Sequence, residues 1–285
     1  MFLIKIKLLS NIKLATRRKP VSKSKSFFQS KYFWVILIIL CLSILIFKNR
    51  SAILYYFSFK STKVLLSEKA YKARNEEVLF ANSSKVVGLD VSHYQGKINW
   101  KNIEFVNDKY PIEFVFIRAT QGNDNSDSQF EYNWAESKRY NIIRGAYHYY
   151  RPNENSLEQA ENFIKTVKLS KGDLPPVLDI EKLPKEQSIE NLKIGLKRFL
   201  DKIEEHYEVQ PIIYSSQRYY EDFLKDEFSD YTFWIANYNF IDAEVNSDYL
   251  FWQFTEQARI KGISEKVDIN IFNGSYEDLR DLRIN

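Results

Sequence analysis

From residue 85 onward, short apolar runs alternate with amphipathic stretches, and this alternation limits the fold more than any other feature. Residues 86–91, 114–119, 142–149, 176–180 and 211–214 read as strands, each followed by a segment of helical or short-turn character. Asn99 is expected to cap a short helix carrying Trp100, Ile103 and Val106. Phe130, Trp134 and Ala135 lie at helical spacing, and Ser156–Gln159 reads as a capping box. Ser188 opens the clearest helix, with Leu192, Leu196, Phe199, Leu200 and Ile203 on one face. Three further strands, 232–236, 250–254 and 267–272, follow with little between them. Strand–helix alternation predicts parallel βα units. Eight strands predict an α/β barrel, with helices around the first five strands and few around the last three.

The run Pro175-Pro-Val-Leu-Asp179-Ile-Glu181 is an apolar strand ending in two acids one residue apart. Side chains alternate along a strand, so Asp179 and Glu181 point the same way. Two carboxyls facing one cavity oppose each other's ionisation, so one keeps its proton near neutral pH while the other is charged. Glycoside hydrolysis needs that division: one acid protonates the leaving oxygen and a second carboxylate acts on the sugar side. The same spacing also suits acids that cap a helix or meet an arginine. Barrel enzymes place their chemistry at the C-terminal ends of the strands. Asp90 falls at such an end, as do Asp179 and Glu181. Asp268 opens its strand, so by this rule it fits less well.

Charge is divided unevenly. Residues 1–82 carry 16 Lys+Arg against 3 Asp+Glu, and the remainder carries 25 against 34. An acidic domain lacks the clustered cations that phosphate binding needs, so no nucleic-acid partner is expected. The single cysteine, Cys41, excludes an internal disulfide and any cysteine metal cluster. Histidines 93 and 206 show no metal spacing.

Residues 33–47 contain no charge, and nine Lys/Arg with no acid precede them. That bias predicts a single-pass signal anchor over 32–50 in the inner (cytoplasmic) membrane. Residues 1–31 would form a basic cytoplasmic tail, and the rest of the chain would be periplasmic or otherwise extracytoplasmic. A cleaved signal peptide would need a 31-residue basic leader and a small-residue cleavage site that the chain lacks. The polar residues 51–84 are expected to form a stalk, with the catalytic domain at 85–285.

With these motifs in order, the chain resembles the glycoside hydrolase family 25 muramidases, the Chalaropsis-type lysozymes. The resemblance rests on Gly88-Leu-Asp90-Val-Ser92 with Tyr94-Gln-Gly96 and Trp100, and on Ile117-Arg118-Ala-Thr-Gln121-Gly122. It continues through Asp127, Phe130, Asn133, Trp134, Gly145-Ala-Tyr147-His148-Tyr149 and Pro176-Val-Leu-Asp179-Ile-Glu181. It closes with Trp234-Ile-Ala236, Trp252-Gln253-Phe254 and Val267-Asp268-Ile-Asn270. It implies a flattened, TIM-like (β/α)5β3 barrel and hydrolysis of the β-1,4 bond between N-acetylmuramic acid and N-acetylglucosamine in peptidoglycan. It also implies Glu181 as general acid, Asp179 as the group orienting or stabilising the reacting centre, and Asp90 and Asp268 as supporting acids. The family usually has Lys and Glu where this chain has Arg118 and Gln121.

Tyr147, Tyr214, Trp234 and Tyr238 sit at or after strand ends and are the candidate sugar-contacting aromatics. Gln253 is a candidate for the cleft, and with Asn270 for orienting carboxylates. His148 is expected to be a hydrogen-bonded packing group. The resemblance points to glycan strands of peptidoglycan as the partner and implies neither a metal nor an organic cofactor; a monomer is expected. Two alternatives remain at this level: a chitinase-like endo-N-acetylglucosaminidase and a non-catalytic wall-binding module.

Overall fold

The computed structural model describes residues 31–48, 68–239 and 243–285. The chain divides into two compact units, Met1–Leu54 and Tyr55–Asn285. The first is described only through helix α1 (Lys31–Lys48). Most of its large apolar side chains are exposed, from Trp34 to Phe47. Among the described residues, no helix is long and apolar enough to cross a membrane. Eighteen residues give about 27 Å of helix, somewhat less than the roughly 30 Å of a bilayer core. Residues 1–30, expected as the cytoplasmic tail, lie outside the described residues, as do 49–67.

The second unit opens with α2 (Glu68–Ala81), followed by β1 (Val86–Val91), β2 (Phe105–Val106), β3 (Tyr110–Gln121) and β4 (Asn125–Ser126). Next come α3 (Phe130–Arg139), β5 (Ile143–Tyr149), α4 (Ser156–Thr166), β6 (Val177–Asp179) and α5 (Ile189–Tyr207). β7 (Ile212–Ser216), a short helical stretch over 217–224, β8 (Thr232–Ala236), β9 (Phe251–Ala258), β10 (Val267–Phe272) and α6 (Tyr276–Asp281) complete it. Eight of these strands close a barrel in the order β1, β3, β5, β6, β7, β8, β9, β10, with β10 returning to β1. Neighbours are parallel except for β10, which runs antiparallel to both β9 and β1. The expected eight-stranded barrel is present, but full α-helices follow only β3, β5 and β6; β1 is followed by 3-10 turns and β7 by the short helical stretch.

Alternation along β3 separates two cores. Phe114 and Phe116 join Tyr147, Trp234, Phe251 and Phe272 in the barrel interior. Val115 and Ile117 pack outward with Phe163, Leu196, Phe199 and the other helix faces. The large rings fit because β1 and β5 offer glycines beside them. A Cβ on Gly88 would lie 2.5 Å from Phe114, and one on Gly145 would lie 2.6 Å from Phe116.

Local details depart from the sequence reading. After β1 the chain makes a 3-10 turn (Trp100–Asn102), not an α-helix. Asn99 makes no side-chain cap there, and Val106 pairs in β2. Helix α4 is capped by Asn155, which accepts from the Leu157 and Glu158 N–H groups, rather than by Ser156. Gln159 cannot close a capping box because it is buried and engages the main chain of Arg151. Ser188 does cap α5.

The expected stalk is partly folded domain. Helix α2 buries Arg74, Asn75, Val78 and Leu79, and the last two belong to the outer core. Their spacing puts four residues on one stripe, which a reading of the segment as simply polar overlooks. Asn82, which heads an Asn-Ser-Ser triplet, is buried and fully engaged.

Candidate active site

The C-terminal ends of the parallel strands surround a cavity of about 350 Å³, within the range of ordinary ligand pockets. Asp90 reaches it from β1, Asp179 from the end of β6, and Glu181 from two residues further on. Asp268 reaches it from β10. Asp268 opens its strand, but β10 runs antiparallel to β1, so its first residues lie beside the last residues of β1. Asp90 and Asp268 are register partners.

Burial sets the ionisation of these acids. It raises Asp268 well above the ordinary carboxylate range, and repulsion and a hydrogen bond from Asp90 add to the shift. Asp90 is also raised by burial, but amide donors from Asn270 and Gln253 and the contact with Asp268 oppose the rise. Of the pair, Asp268 therefore keeps its proton more tightly than Asp90. Asp179 is raised well above its usual value by burial and then by Glu181 and Asp90. Its Oδ1 is buried without a hydrogen-bond partner. Glu181 is raised to about 6, mainly by burial, while Lys182 pulls it down.

A polar scaffold holds Asp90. Its Oδ2 accepts from Gln253 Nε2 at 2.8 Å and from Asn270 Nδ2 at 2.7 Å. Gln253 Oε1 in turn accepts from the Tyr214 hydroxyl at 2.8 Å and from the Tyr238 hydroxyl. Asn270 Oδ1 accepts from Trp234 Nε1 at 2.7 Å. Burial keeps the Tyr214 and Tyr238 phenols neutral, so both remain donors.

All nine residues singled out from the sequence line this cavity, but in different capacities. Trp234 is only 1% exposed and stacks on Phe116, with ring centroids 4.5 Å apart. It forms a wall and an Asn270 donor rather than an open sugar platform. Gln253 is buried and committed to Asp90. Tyr147 and Tyr214 are buried at the cavity wall, whereas Tyr238 is 40% exposed and offers a ring face. His148 is fully buried between Thr120 and Gln159, with its imidazole pushed down to about 4 by burial, so it stays neutral in the packing.

Arg118 lines the cavity with its Nε on Asp127 Oδ2 at 2.9 Å, and it contacts His93. Burial alone would raise Asp127. Donors from the His93 and Gln129 main chain, His93 and Arg118 outweigh it and hold Asp127 low. The Arg118 guanidinium sits 5.0 Å from the Tyr94 ring centre, and Tyr94, 70% exposed, forms the rim. Gln121, with its amide oxygen turned toward Arg151, accepts from that guanidinium at 2.7 and 3.0 Å.

Tyr149, Lys182 and Glu256 also line the cavity and were not singled out from sequence. Tyr149 shares a face of β5 with Tyr147, and Lys182 follows Glu181. Glu256 could not be found by alternation, because a bulge in β9 places both Gln253 and Glu256 on the cavity side. Among the described residues, no group of three or more His, Cys, Asp or Glu is arranged to hold a metal ion.

Residues 89–263 match the model of the family described as Glycosyl hydrolases family 25. The chain belongs to that family. It is therefore a glycoside hydrolase. Among curated relatives, Lysozyme M1 of Streptomyces globisporus is 31% identical over 210 residues, covering 68% of this chain and 70% of that protein. Uncharacterized protein YegX of Escherichia coli K12 is 35% identical over 202 residues, covering 70% and 73%. Among solved structures, the bacterial lysozyme from Streptomyces coelicolor superposes with a TM-score of 0.63 at 30% identity, covering 70% of this chain and 98% of that one. A family 25 glycosyl hydrolase from Bacillus anthracis gives 0.62 at 29% identity, covering 71% and 95%.

Proposed function

We propose that this enzyme is an N-acetylmuramidase that hydrolyses the β-1,4 bond between N-acetylmuramic acid and N-acetylglucosamine in peptidoglycan. The observation that carries the reading is the unpartnered, buried Oδ1 of Asp179, two residues from a carboxyl poised near 6. An orphan acceptor in a low-dielectric wall gains most from a ligand donor. The acetamido N–H of an N-acetylated sugar is such a donor. Once bound there, the acetamido oxygen is held toward the anomeric carbon, where positive charge develops. Glu181, protonated over part of the neutral range, gives its proton to the leaving oxygen. The Asp90–Asp268 pair, fixed by Gln253 and Asn270, provides the single negative charge that favours the cationic transition state. The relatives named lysozyme support this substrate class.

We propose further that the apolar 32–50 segment tethers the enzyme to the inner membrane as a single-pass anchor, N-terminus inside, with a monomeric catalytic domain outside. The support is the flanking charge bias and the exposed apolar side chains of α1. Retention in the membrane fraction after alkaline extraction, with a C-terminal reporter active only outside the cytoplasm, is the expected result.

The catalytic reading is tested by digesting purified peptidoglycan with the full-length chain and its Glu181→Gln variant, then identifying new reducing ends by mass spectrometry. Muramic-acid ends from the parent alone are expected. Glucosamine ends would move the assignment to an endo-N-acetylglucosaminidase. Binding without cleavage would leave a wall-binding module.

A further inference from the structure

The family match begins at residue 89, well after α2. Yet α2 is bound to the part of the barrel that carries the mouth. Val78 and Leu79 are buried in the outer core. Its polar groups reach across more than 160 residues of sequence to the connection between β8 and β9. Arg74 Nη2 donates to the Asn239 carbonyl at 3.1 Å. Asn82, just past the end of α2, donates through Nδ2 to the Ala243 carbonyl at 2.7 Å and accepts the Val245 N–H at 3.1 Å. The same Nδ2 donates to the Val78 carbonyl at 2.8 Å, which locks Asn82 to its own helix.

That connection is also tied at its far end, where Asn273 Nδ2 donates to the Asn246 and Tyr249 carbonyls. Its described residues form no strand or helix, and its start is held by Asn237 N–H on the Gln253 carbonyl and by Trp252 Nε1 on the Asn237 carbonyl. Between those ties and the Arg74 contact sits Tyr238. Its hydroxyl donates to Gln253 Oε1, whose amide nitrogen donates to Asp90. A continuous set of hydrogen bonds therefore runs from α2 through one main-chain segment to an acid of the site. Arg74 and Asn82 are both buried, so their donors have no water to fall back on and hold Asn239, Ala243 and Val245 against α2.

We infer that α2 is a brace for the catalytic mouth, in which Arg74 is a positioning residue that acts through Asn239 and Tyr238 on Gln253 and Asp90, with Asn82 a second tie of α2 to the same connection. The inference rests on the reading of Asp90 as part of the catalytic machinery. It assigns a role in turnover to a helix that a minimal catalytic domain would omit. A helix that merely covers apolar surface would affect stability alone.

The test uses the full-length chain with four substitutions: Arg74→Met, Arg74→Lys, Asn82→Ala and Val78→Ala. Turnover of peptidoglycan, melting temperature and amide hydrogen exchange over 237–245 are measured together. Arg74→Met and Asn82→Ala are each expected to lower kcat about tenfold, with KM within about twofold, and to speed exchange in 237–245. Arg74→Lys, which keeps a cationic donor, is expected to recover most of the lost kcat. Val78→Ala removes packing but none of the side-chain hydrogen bonds to the segment, so it is expected to lower the melting temperature with kcat unchanged.

Faster exchange with kcat intact would overturn the inference. So would a loss of kcat no greater than that of Val78→Ala at equal loss of stability. If Arg74→Met does not fold, Asn82→Ala decides by the same readouts. If the parent itself does not cleave peptidoglycan, the muramidase reading fails separately. Exchange then decides the brace: unchanged protection over 237–245 in Arg74→Met or Asn82→Ala overturns it, and lost protection there, absent in Val78→Ala, supports it.

Discussion

The two ends of the barrel treat buried charge in opposite ways. At the base, Arg144 near the start of β5 meets Asp173 with Nε on Oδ1 at 2.7 Å and Nη2 on Oδ2 at 3.2 Å. Its guanidinium lies 3.8 Å from the Trp134 ring centre, and Asp173 also accepts from the Ser170 N–H and hydroxyl. Each formal charge has a partner and each oxygen a donor. At the mouth, five carboxyls (Asp90, Asp179, Glu181, Glu256 and Asp268) share one cavity, and the cations that line it, Arg118 and Lys182, do not neutralise them. Burial and mutual repulsion therefore win over attraction. The base is arranged to hold the fold together; the mouth stores unfavourable electrostatics that a substrate can relieve.

Near the mouth itself, the sign of the linkage differs between acids with and without a paired cation. Acids raised in the folded state, such as Asp179 and Asp268, are most compatible with folding below the ordinary carboxylate range. They cost stability as pH rises through their folded values. Asp127, held low chiefly by its donors against burial, does the reverse: its contribution is present above the ordinary aspartate value and is lost as pH falls through its folded one.

The largest expected effect falls on chemistry. Glu181→Gln should reduce kcat by roughly 10²–10⁴-fold with no loss of melting temperature, since it removes the proton donor and relieves repulsion. A comparable loss of stability would mean that the mouth is structural after all. Next comes the base. Asp173→Ala leaves a buried guanidinium unpaired and should cost about 3–5 kcal/mol in urea unfolding, with kcat of the folded fraction retained. A cost near zero would break the contrast between the two ends.

A smaller effect of opposite sign is expected at Asp268. Asp268→Asn should stabilise the protein by about 0.5–2 kcal/mol at pH 7 while impairing turnover. The gain should vanish near pH 3, where the native acid is protonated in both states. The smallest effect is on the pH profile. As the general acid must be protonated, kcat/KM should fall as pH rises through about 6, the value to which Glu181 is raised. Lys182→Met should move that limb to higher pH, because the ammonium favours the ionised form. A downward move would show that another group controls the limb.

Much of this arrangement was legible in the sequence, for specific reasons. Period-two alternation along 176–181 put Asp179 and Glu181 on one side. The order of strands and helices pointed to an eight-stranded barrel whose last three strands carry few helices, although the helix expected after β1 is a 3-10 turn. The leader's charge bias and apolar run were equally plain, but the described α1 is shorter than a usual span, and that reading stands as a proposal. Trp234 shows the limit of composition: an aromatic at a strand end is equally a cleft platform or a wall, and its neighbours Phe116, Tyr214 and Asn270 make it a wall.

Sequence alone therefore determined which strand ends present the candidate acids Asp90, Asp179 and Glu181, because that follows from local periodicity and residue type. Three things were decided only by tertiary structure. The antiparallel return of β10 set Asp268 opposite Asp90, which turned a poorly placed acid into half of a proton-sharing pair. The bulge in β9 aimed both Gln253 and Glu256 into the cavity against simple alternation. The docking of α2 tied Arg74 and Asn82 to the Tyr238 segment. Each depends on contacts between residues far apart in the chain, and such contacts leave no periodic trace in the sequence.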